Sequence, residues 1–180
     1  MKDELNRRDF IKKTGIITVG AGLILSRCAQ KQDIYTPPLL DPAPDGQELT
    51  AGLVGCGGRG TGAAINYLDA GPNLQITALA DVFSDKIEST KKALQEQRDV
   101  VVPDDMTFVG FDAYQKVVDS GVDVVLFATP PHFRPEHFEY AVAANKHAFL
   151  EKPVAVDPVG ARSVMATDRK STRLNSSHYS

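Results

Sequence analysis

The chain has 180 residues, of which 42% are apolar and 24% charged, and this is the composition of an ordinary globular protein with room for one domain and its core. The net charge of -3 provides no positive field that would gather nucleic acid, so no nucleic-acid partner is expected. The two cysteines, Cys28 and Cys56, fit neither a disulfide framework nor a zinc-ligand spacing, and no metal site is predicted.

Residues 1–30 have the pattern of an export signal. Arg7 and Arg8 stand before an uncharged apolar run, residues 14–25, which is shorter than the roughly 20 residues that cross a bilayer. The arginine pair and its surroundings resemble the twin-arginine signal, which predicts an exported protein that is periplasmic or membrane-anchored. The sequence before Cys28 resembles a lipoprotein box, so the membrane contacts to be expected are the signal itself or a lipid on Cys28. Ordinary cleavage and an uncleaved anchor are the alternatives.

Residues 31–48 contain four prolines and show no hydrophobic period. Such a stretch cannot pack a core and favours extended conformations, so it is interpreted as a proline-rich tether. The alternative is an arm that wraps a neighbouring subunit.

From residue 49 the chain alternates short apolar runs with amphipathic segments, as in a doubly wound parallel sheet. The predicted strands cover residues 49–54, 74–80, 107–109, 122–128 and 148–150, and the predicted helices cover residues 60–69, 83–97, 113–118, 135–144 and 157–167. The pattern predicts an α/β domain of the Rossmann type over residues 49–167.

A glycine-rich turn lies between the first predicted strand and the first predicted helix, the context in which such a turn indicates dinucleotide binding. Gly55 permits the tight turn, Gly57 lets the backbone approach a pyrophosphate, and Gly60 allows the helix to pack close to the sheet. Gly58 and Arg59 complete the turn, and the N–H groups at the start of the helix attract phosphates.

Asp81 follows the second strand at the spacing expected of the acid that binds the adenosine ribose. Its carboxylate can accept hydrogen bonds from both ribose hydroxyls and would repel the additional phosphate of NADP. NAD is therefore the predicted cofactor. NADP remains the less favoured alternative, because Arg59 or Lys86 could reach a 2'-phosphate.

Two further loops are expected at the carboxyl ends of the strands, where parallel sheets bind their ligands. The fourth predicted strand leads into Thr129, Pro130 and His132, and the fifth leads into Glu151 and Lys152. The sequence therefore predicts one crevice shared by these loops, the glycine turn and Asp81.

In order and spacing, residues 54–60, 80–81, 128–132 and 146–153 resemble the Gfo/Idh/MocA oxidoreductase family, and the resemblance covers about residues 50–167. With the leader, the chain is most similar to exported members of bacteria that process carbohydrates.

The resemblance implies that Thr129, Pro130 and His132 border the nicotinamide half of the cofactor. It also implies that Glu151 lies beside the nicotinamide ribose and that Lys152 contacts the reacting substrate oxygen. Independently of the family, an ammonium beside a sugar hydroxyl stabilises the alkoxide that precedes hydride departure. His132 has the alternative of a residue that caps the following loop.

Residues 168–180 break the helical pattern and resemble the translation of a widely used sequencing adapter. We expect them to be a non-native tail outside the fold, and the natural protein to continue beyond Thr167 into a substrate domain that this sequence lacks. The resemblance implies that this missing domain supplies the general base, most sugar contacts and the usual oligomer interface. The chain alone is thus expected to bind NAD without turnover.

For the intact protein, the resemblance implies an NAD(P)-dependent oxidoreductase that transfers hydride between nicotinamide and a hydroxyl-bearing carbon of a sugar or polyol. The alternatives are an NAD-dependent glycosidase that works by transient oxidation and elimination, or, for the chain itself, a nucleotide-binding module. The expected partner is a carbohydrate-like small molecule. The particular sugar and a homo-oligomeric state are left open by the sequence.

Overall fold

A computed structural model of the chain describes residues 46–176, with side chains as far as residue 171. The predicted export signal, residues 1–30, most of the tether predicted for residues 31–48, and residues 177–180 lie outside the described residues. None of the helices within residues 46–176 combines the length and the apolarity that a bilayer crossing requires.

The described residues form one sheet of five parallel strands in the order β3-β2-β1-β4-β5. The strands are β1 (Leu49–Val54), β2 (Leu74–Asp81), β3 (Thr107–Val109), β4 (Val124–Phe127) and β5 (His147–Leu150). This order confirms the predicted doubly wound fold of the Rossmann type.

Five helices connect or follow the strands. They are α1 (Gly58–Asp69), α2 (Ser84–Arg98), α3 (Ala113–Asp119), α4 (Arg134–Ala143) and α5 (Pro158–Ser176), with a short 3-10 turn at Asp104–Met106. Helix α1 begins two residues earlier than predicted, so Arg59 belongs to its first turn. Strand β4 is shorter than predicted. Asp123, the residue before it, is still bonded to β1, because its N–H donates to the carbonyl of Thr50 at 3.0 Å.

Helices cover both faces of the sheet, so neighbouring residues of one strand belong to different cores. Leu53 packs with residues of α1 and α2, whereas Val54 packs with residues of α3 and α4. Leu79 and Ala80 of β2 divide in the same way. Side chains alternate across a strand, and burial on both faces explains why the strands have nearly continuous apolar sequences.

Helix α5 contradicts one prediction. The helical pattern was expected to end at Thr167, but the helix continues to Ser176. Residues 168–176 include neither proline nor glycine, and each residue added to an existing helix gains a backbone hydrogen bond at little further cost. The Nζ atom of Lys170 also lies 3.8 Å from the carboxylate of Glu139 in α4. That these residues are non-native stays a prediction.

The strand register brings four chain segments to the same level at the carboxyl edge of the sheet. Val54 lies opposite Ala80 on one side and Phe127 on the other, and Phe127 lies opposite Leu150. The residues that follow these positions, among them Asp81, therefore meet at one edge of the sheet, as predicted for ligand binding in a parallel sheet.

Candidate functional site

Two glycines of the turn between β1 and α1 are required by packing. Gly55 has a φ of +98°, which side chains disfavour, and a Cβ there would lie 2.8 Å from backbone atoms of Ala128 and Thr129. A Cβ on Gly60 would lie 1.8 Å from the carbonyl oxygen of Gly55. Helix α1 therefore packs against the turn at a distance that only glycine allows, which agrees with the steric reasons that the sequence suggested.

Gly57 and Gly58 are different, because a Cβ at either position would meet no atom of the described chain within 4 Å. Gly57 has φ -74° and ψ 176°, values that any residue adopts. Among residues 46–176, no side chain caps α1, and its first turn contains no acidic residue. The turn thus presents backbone N–H groups and the positive end of the helix dipole to open space, an arrangement suited to a phosphate.

The carboxylate of Asp81 is bonded to the glycine turn on one side and to the start of α2 on the other. Its Oδ2 accepts the N–H of Cys56 at 2.7 Å, and its Oδ1 accepts the N–H of Phe83 at 3.0 Å. A carboxylate has about four acceptor positions, so capacity remains for the hydroxyls of a ligand. Asp81 is half-buried.

Side chains of α1 and α2 join the glycine turn to the helix that follows β2. The hydroxyl of Thr90 donates to the carbonyl of Cys56 at 3.0 Å and lies 2.8 Å from the hydroxyl of Thr61. The Cys56 thiol is buried, and burial, with the nearby charge of Asp81, raises its pKa to about 12. Cys56 therefore stays a neutral thiol that packs the turn, and it is no candidate nucleophile.

A cavity of about 500 Å³ opens beside the turn and Asp81. Among the residues predicted for the site, those that line it are Gly55, Gly57, Asp81, Thr129 and Pro130. The others, namely Gly58, Arg59, Gly60, His132, Glu151 and Lys152, do not line this cavity. The predicted set is thus divided between the cavity and the edge beside it.

Aromatic rings form one wall of the cavity. Tyr114 stacks on His137 with ring centroids 4.0 Å apart, and His137 in turn stacks on Phe133 at 6.0 Å. Nδ1 of His137 lies 3.3 Å from the hydroxyl of Thr129. Burial lowers the pKa of His137 to about 4, so its ring is neutral near pH 7. His137 is therefore a packing residue that also lines the cavity.

The loop after β5 carries the lysine implicated by the sequence. The side chain of Lys152 is exposed, whereas Glu151 is buried. The Lys152–Pro153 peptide bond is cis. The backbone N–H of Lys152 donates to Oε1 of Glu151 at 3.1 Å, so this carboxylate fixes the start of the loop.

An ion pair connects this loop to the glycine turn. Nε of Arg59, in the first turn of α1, lies 2.5 Å from Oε2 of Glu151. The hydrogen bond from Arg59 is the main reason that the pKa of Glu151 lies below its ordinary value. The side chain of Arg59 is 58% exposed, so the guanidinium is also accessible from solvent.

Arg134 is the site residue that sequence reasoning missed. Its guanidinium is buried at the start of α4, and burial lowers its pKa. Nε donates to the carbonyl of Thr129 at 2.7 Å, and Nη1 donates to the carbonyls of Glu151 and Pro153. No local pattern indicated this role, because an arginine before a proline at the start of a helix resembles any polar loop residue.

His132 is exposed, with its ring edge-on to Phe133 at a centroid distance of 5.2 Å. Thr129 and Pro130 line the cavity, whereas His132 does not. The structure therefore supports a cofactor contact less strongly for His132 than for these two residues.

Residues 49–179 match the family model GFO_IDH_MocA, described as "Oxidoreductase family, NAD-binding Rossmann fold". A protein of Solibacter usitatus named "Glycosyl hydrolase family 109 protein" is 31% identical over 154 residues, which are 85% of this chain and 34% of that protein. A "Glycosyl hydrolase family 109 protein 1" of Bacteroides thetaiotaomicron is 29% identical over 136 residues, 73% of this chain and 27% of the relative. The chain thus spans about a third or less of these relatives.

Solved structures agree with the fold. The scyllo-inositol dehydrogenase of Lactobacillus casei, with bound NAD(H) and scyllo-inositol, has a TM-score of 0.57 at 20% identity, covering 71% of this chain and 34% of that one. An oxidoreductase from Agrobacterium radiobacter, in complex with NAD+, L-tartaric acid and magnesium, gives 0.57 at 21% identity, with coverage of 70% and 34%. From the sheet order, the glycine turn and the match over residues 49–179, the chain belongs to the Gfo/Idh/MocA oxidoreductase family and contains its NAD-binding Rossmann domain.

Proposed function

We propose that the intact protein transfers a hydride between NAD and a hydroxyl-bearing carbon of a sugar, polyol or related carbohydrate. The observation that carries this proposal is the ion pair between Arg59 and Glu151. It joins the glycine turn, which is suited to a phosphate, to the residue next to Lys152. A dinucleotide that begins on the turn and extends along this edge would bring its nicotinamide to the lysine loop.

The adenosine half of NAD would be held by the turn, Asp81 and the cavity. Backbone N–H groups at Gly57 and Gly58 would bind the diphosphate, and the free acceptor positions of Asp81 would bind the ribose hydroxyls. NADP is the lesser alternative, since the charge of Asp81 disfavours a 2'-phosphate although Lys86 lines the same cavity. The neutral rings of the cavity wall suit a flat base.

At the other half of the site, Thr129, Pro130 and His132 would border the nicotinamide and Glu151 its ribose. NAD, when bound, supplies the carbon that accepts or returns the hydride. The ammonium of Lys152 would hydrogen-bond the reacting oxygen and stabilise its negative charge as the C–H bond breaks. The remaining sugar contacts and the general base would come from the rest of the intact protein. This chain alone should therefore bind NAD without converting a sugar substrate.

A matched pair of measurements tests the cofactor site on the chain itself. In Gly57→Ala the new methyl meets no described protein atom within 4 Å, so the free energy of unfolding should change by less than about 0.5 kcal/mol. The methyl would nevertheless occupy the space that a pyrophosphate needs, and NADH affinity, followed by fluorescence titration, should fall at least about tenfold. A folded wild-type chain that does not bind NADH, or a variant that binds it equally well, would refute the proposed site.

Lys152→Ala in the intact protein tests the chemical step. Losing a group that assists proton movement and charge at the reacting oxygen should lower kcat about 10²- to 10⁴-fold. NADH affinity should stay near the wild-type value, because the variant leaves the glycine turn and Asp81 intact. Unchanged turnover would remove Lys152 from the mechanism.

A second candidate is an NAD-dependent glycosidase, and the names of the curated relatives favour it. In this reaction the sugar is oxidised transiently, the aglycone is eliminated, and the hydride is returned, so that NAD is recycled and the net reaction is hydrolysis. The intact protein distinguishes the two with a free sugar and an aryl glycoside. Accumulation of NADH indicates a dehydrogenase, whereas release of the aglycone without net NADH indicates the glycosidase.

We also propose that the protein is exported by the twin-arginine route, on the basis of Arg7 and Arg8 and the apolar run that follows them. Replacing both arginines by lysine should keep the protein in the cytoplasmic fraction of its cells. Metabolic labelling with a fatty acid, lost in Cys28→Ala, would test the lipid anchor. Genomic DNA beyond the codon for Thr167 would test whether residues 168–180 are native.

A further inference from the structure

We infer that Arg134 is a positioning residue for Lys152, and this inference rests on the proposed function. Its guanidinium holds the backbone on both sides of the lysine, through the carbonyls of Glu151 and Pro153. It also holds the carbonyl of Thr129, at the end of β4, with Nε at 2.7 Å. One side chain thereby ties together the two loops proposed to meet the nicotinamide.

The chemistry of this contact requires an arginine. Three carbonyl oxygens converge on one buried group, and a guanidinium is a planar fork of five donors with no acceptor. Arg134 is only 4% exposed, so its charge depends on these carbonyls and on the nearby Glu151 carboxylate for compensation. These carbonyls are reached from two different nitrogens, Nε and Nη1, whereas a lysine ammonium has all three donors on one atom at the end of a flexible stem.

Lys152 needs such support because its own side chain is exposed and its loop lies at the edge of the sheet. The ammonium can act on a reacting oxygen only if the backbone that carries it keeps its position. Displacements of about 1 Å in a reacting group can lower the rate about 100-fold. Arg134 holds the Glu151–Lys152 peptide unit, directly before the lysine, and the Pro153–Val154 unit, the second one after it.

The glycine turn and Asp81 have separate supports. Asp81 is bonded to Cys56 and Phe83, and the turn packs on α1 through Gly60. Arg134 itself lines the cavity and holds Thr129, so a change there should weaken NADH binding to some extent. If it acts mainly through Lys152, however, kcat should fall much more than NADH affinity, whereas a residue needed only for the general fold would lower both in parallel.

A double-mutant cycle in the intact protein tests this. We expect Arg134→Lys to lower kcat about 100-fold and to raise the dissociation constant of NADH by a much smaller factor. In the Lys152→Ala background the same substitution should have no further effect, because the group that it positions is already absent. An undiminished kcat in Arg134→Lys, or the same loss of kcat in both backgrounds, would overturn the inference.

A second variant decides the matter if Arg134→Lys folds poorly. Arg134→Ala leaves space for free guanidinium, which at low, non-denaturing concentrations should restore part of the turnover but none in Arg134→Ala/Lys152→Ala. A protein that recovers its fold but no turnover, or that folds neither with nor without guanidinium, would assign Arg134 to the fold alone and overturn the inference. Absent NADH binding in the wild type, or full turnover in Lys152→Ala, would instead refute the proposed function, and the inference with it.

Discussion

Gly60→Ala is the substitution for which the structure gives the clearest expectation. The new Cβ would lie 1.8 Å from the carbonyl oxygen of Gly55, 3.0 Å from its carbonyl carbon and 3.1 Å from the Cβ of Ala128. Protein Cβ atoms are essentially never closer than 3.0 Å to such neighbours, so α1 and the turn must separate by about 1.2 Å to reach that limit. The two nearest atoms, the carbonyl oxygen and carbon of Gly55, belong to the backbone, which cannot rotate away as a side chain can.

The magnitude follows from two opposing effects. Alanine stabilises a helix relative to glycine by about 0.5–1 kcal/mol, and forcing additional atoms into a packed site costs about 1–3 kcal/mol. The net result should be a loss of roughly 1–2 kcal/mol in the free energy of unfolding. The start of α1 would also move away from the turn, and NADH affinity should fall at least about tenfold.

Gly62→Ala is the matched control, because Gly62 lies in the same helix and a Cβ there meets nothing within 4 Å in the described chain. This variant should gain about 0.5–1 kcal/mol and bind NADH as the wild type does. Urea unfolding and NADH fluorescence titration of both variants measure the difference. If Gly60→Ala matches Gly62→Ala in both assays, the contact between α1 and the turn does not restrict the side chain at residue 60. That result would refute the steric argument.

Three further predictions concern charged or titrating groups. In the folded protein the pKa of His137 is about 4, below the ordinary 6.5, so between these pH values the unfolded state binds a proton that the folded state does not. The free energy of unfolding should therefore decline by up to about 3 kcal/mol as the pH falls from 6.5 to 4. His137→Phe should remove this dependence in urea unfolding at pH 5 and pH 7, whereas His147→Asn at an exposed position should retain it. Asp81→Asn should cost about 1–3 kcal/mol, since an amide cannot accept both backbone N–H groups, and it should narrow the gap between NADH and NADPH affinities; an unaltered gap would contradict its role. Arg59 lowers the pKa of Glu151, so this carboxylate stabilises the fold above its ordinary pKa and loses the effect as the pH falls through the lowered value. The melting temperature of Glu151→Gln should therefore fall less on acidification than that of the wild type. Equal pH profiles for variant and wild type would contradict the ion pair.

The parts of the fold that the sequence predicted are those determined by neighbours along the chain. The first strand, the glycine turn and the first helix follow from an apolar run and from steric demands within a few residues, and Asp81 was found from its spacing. The end of α5 was predicted wrongly, because the break in the apolar pattern after Thr167 was taken as the end of the helix. Propagation of the helix needs no such pattern once the preceding turns are packed.

Arg134 and His137 could not be recognised because their roles depend on contacts between distant segments. The partners of Arg134 lie 5, 17 and 19 residues away, in two different loops that only the sheet brings together. His137 has its low pKa because Tyr114 and Phe133 enclose it, and a sequence shows neither the enclosure nor the stacking. Burial of a polar residue is a property of the assembled layers, which local patterns do not contain.

The two N–H groups that hold Asp81 have a consequence for molecular recognition. The carboxylate already has a fixed direction before any ligand arrives, so a hydroxyl that meets it loses less free energy to the ordering of a mobile side chain. One of these donors belongs to Cys56, within the glycine turn itself. If Asp81 binds the ribose and the turn binds the diphosphate, as proposed, this hydrogen bond links the two contacts, and a substitution that displaces either one should also weaken the other.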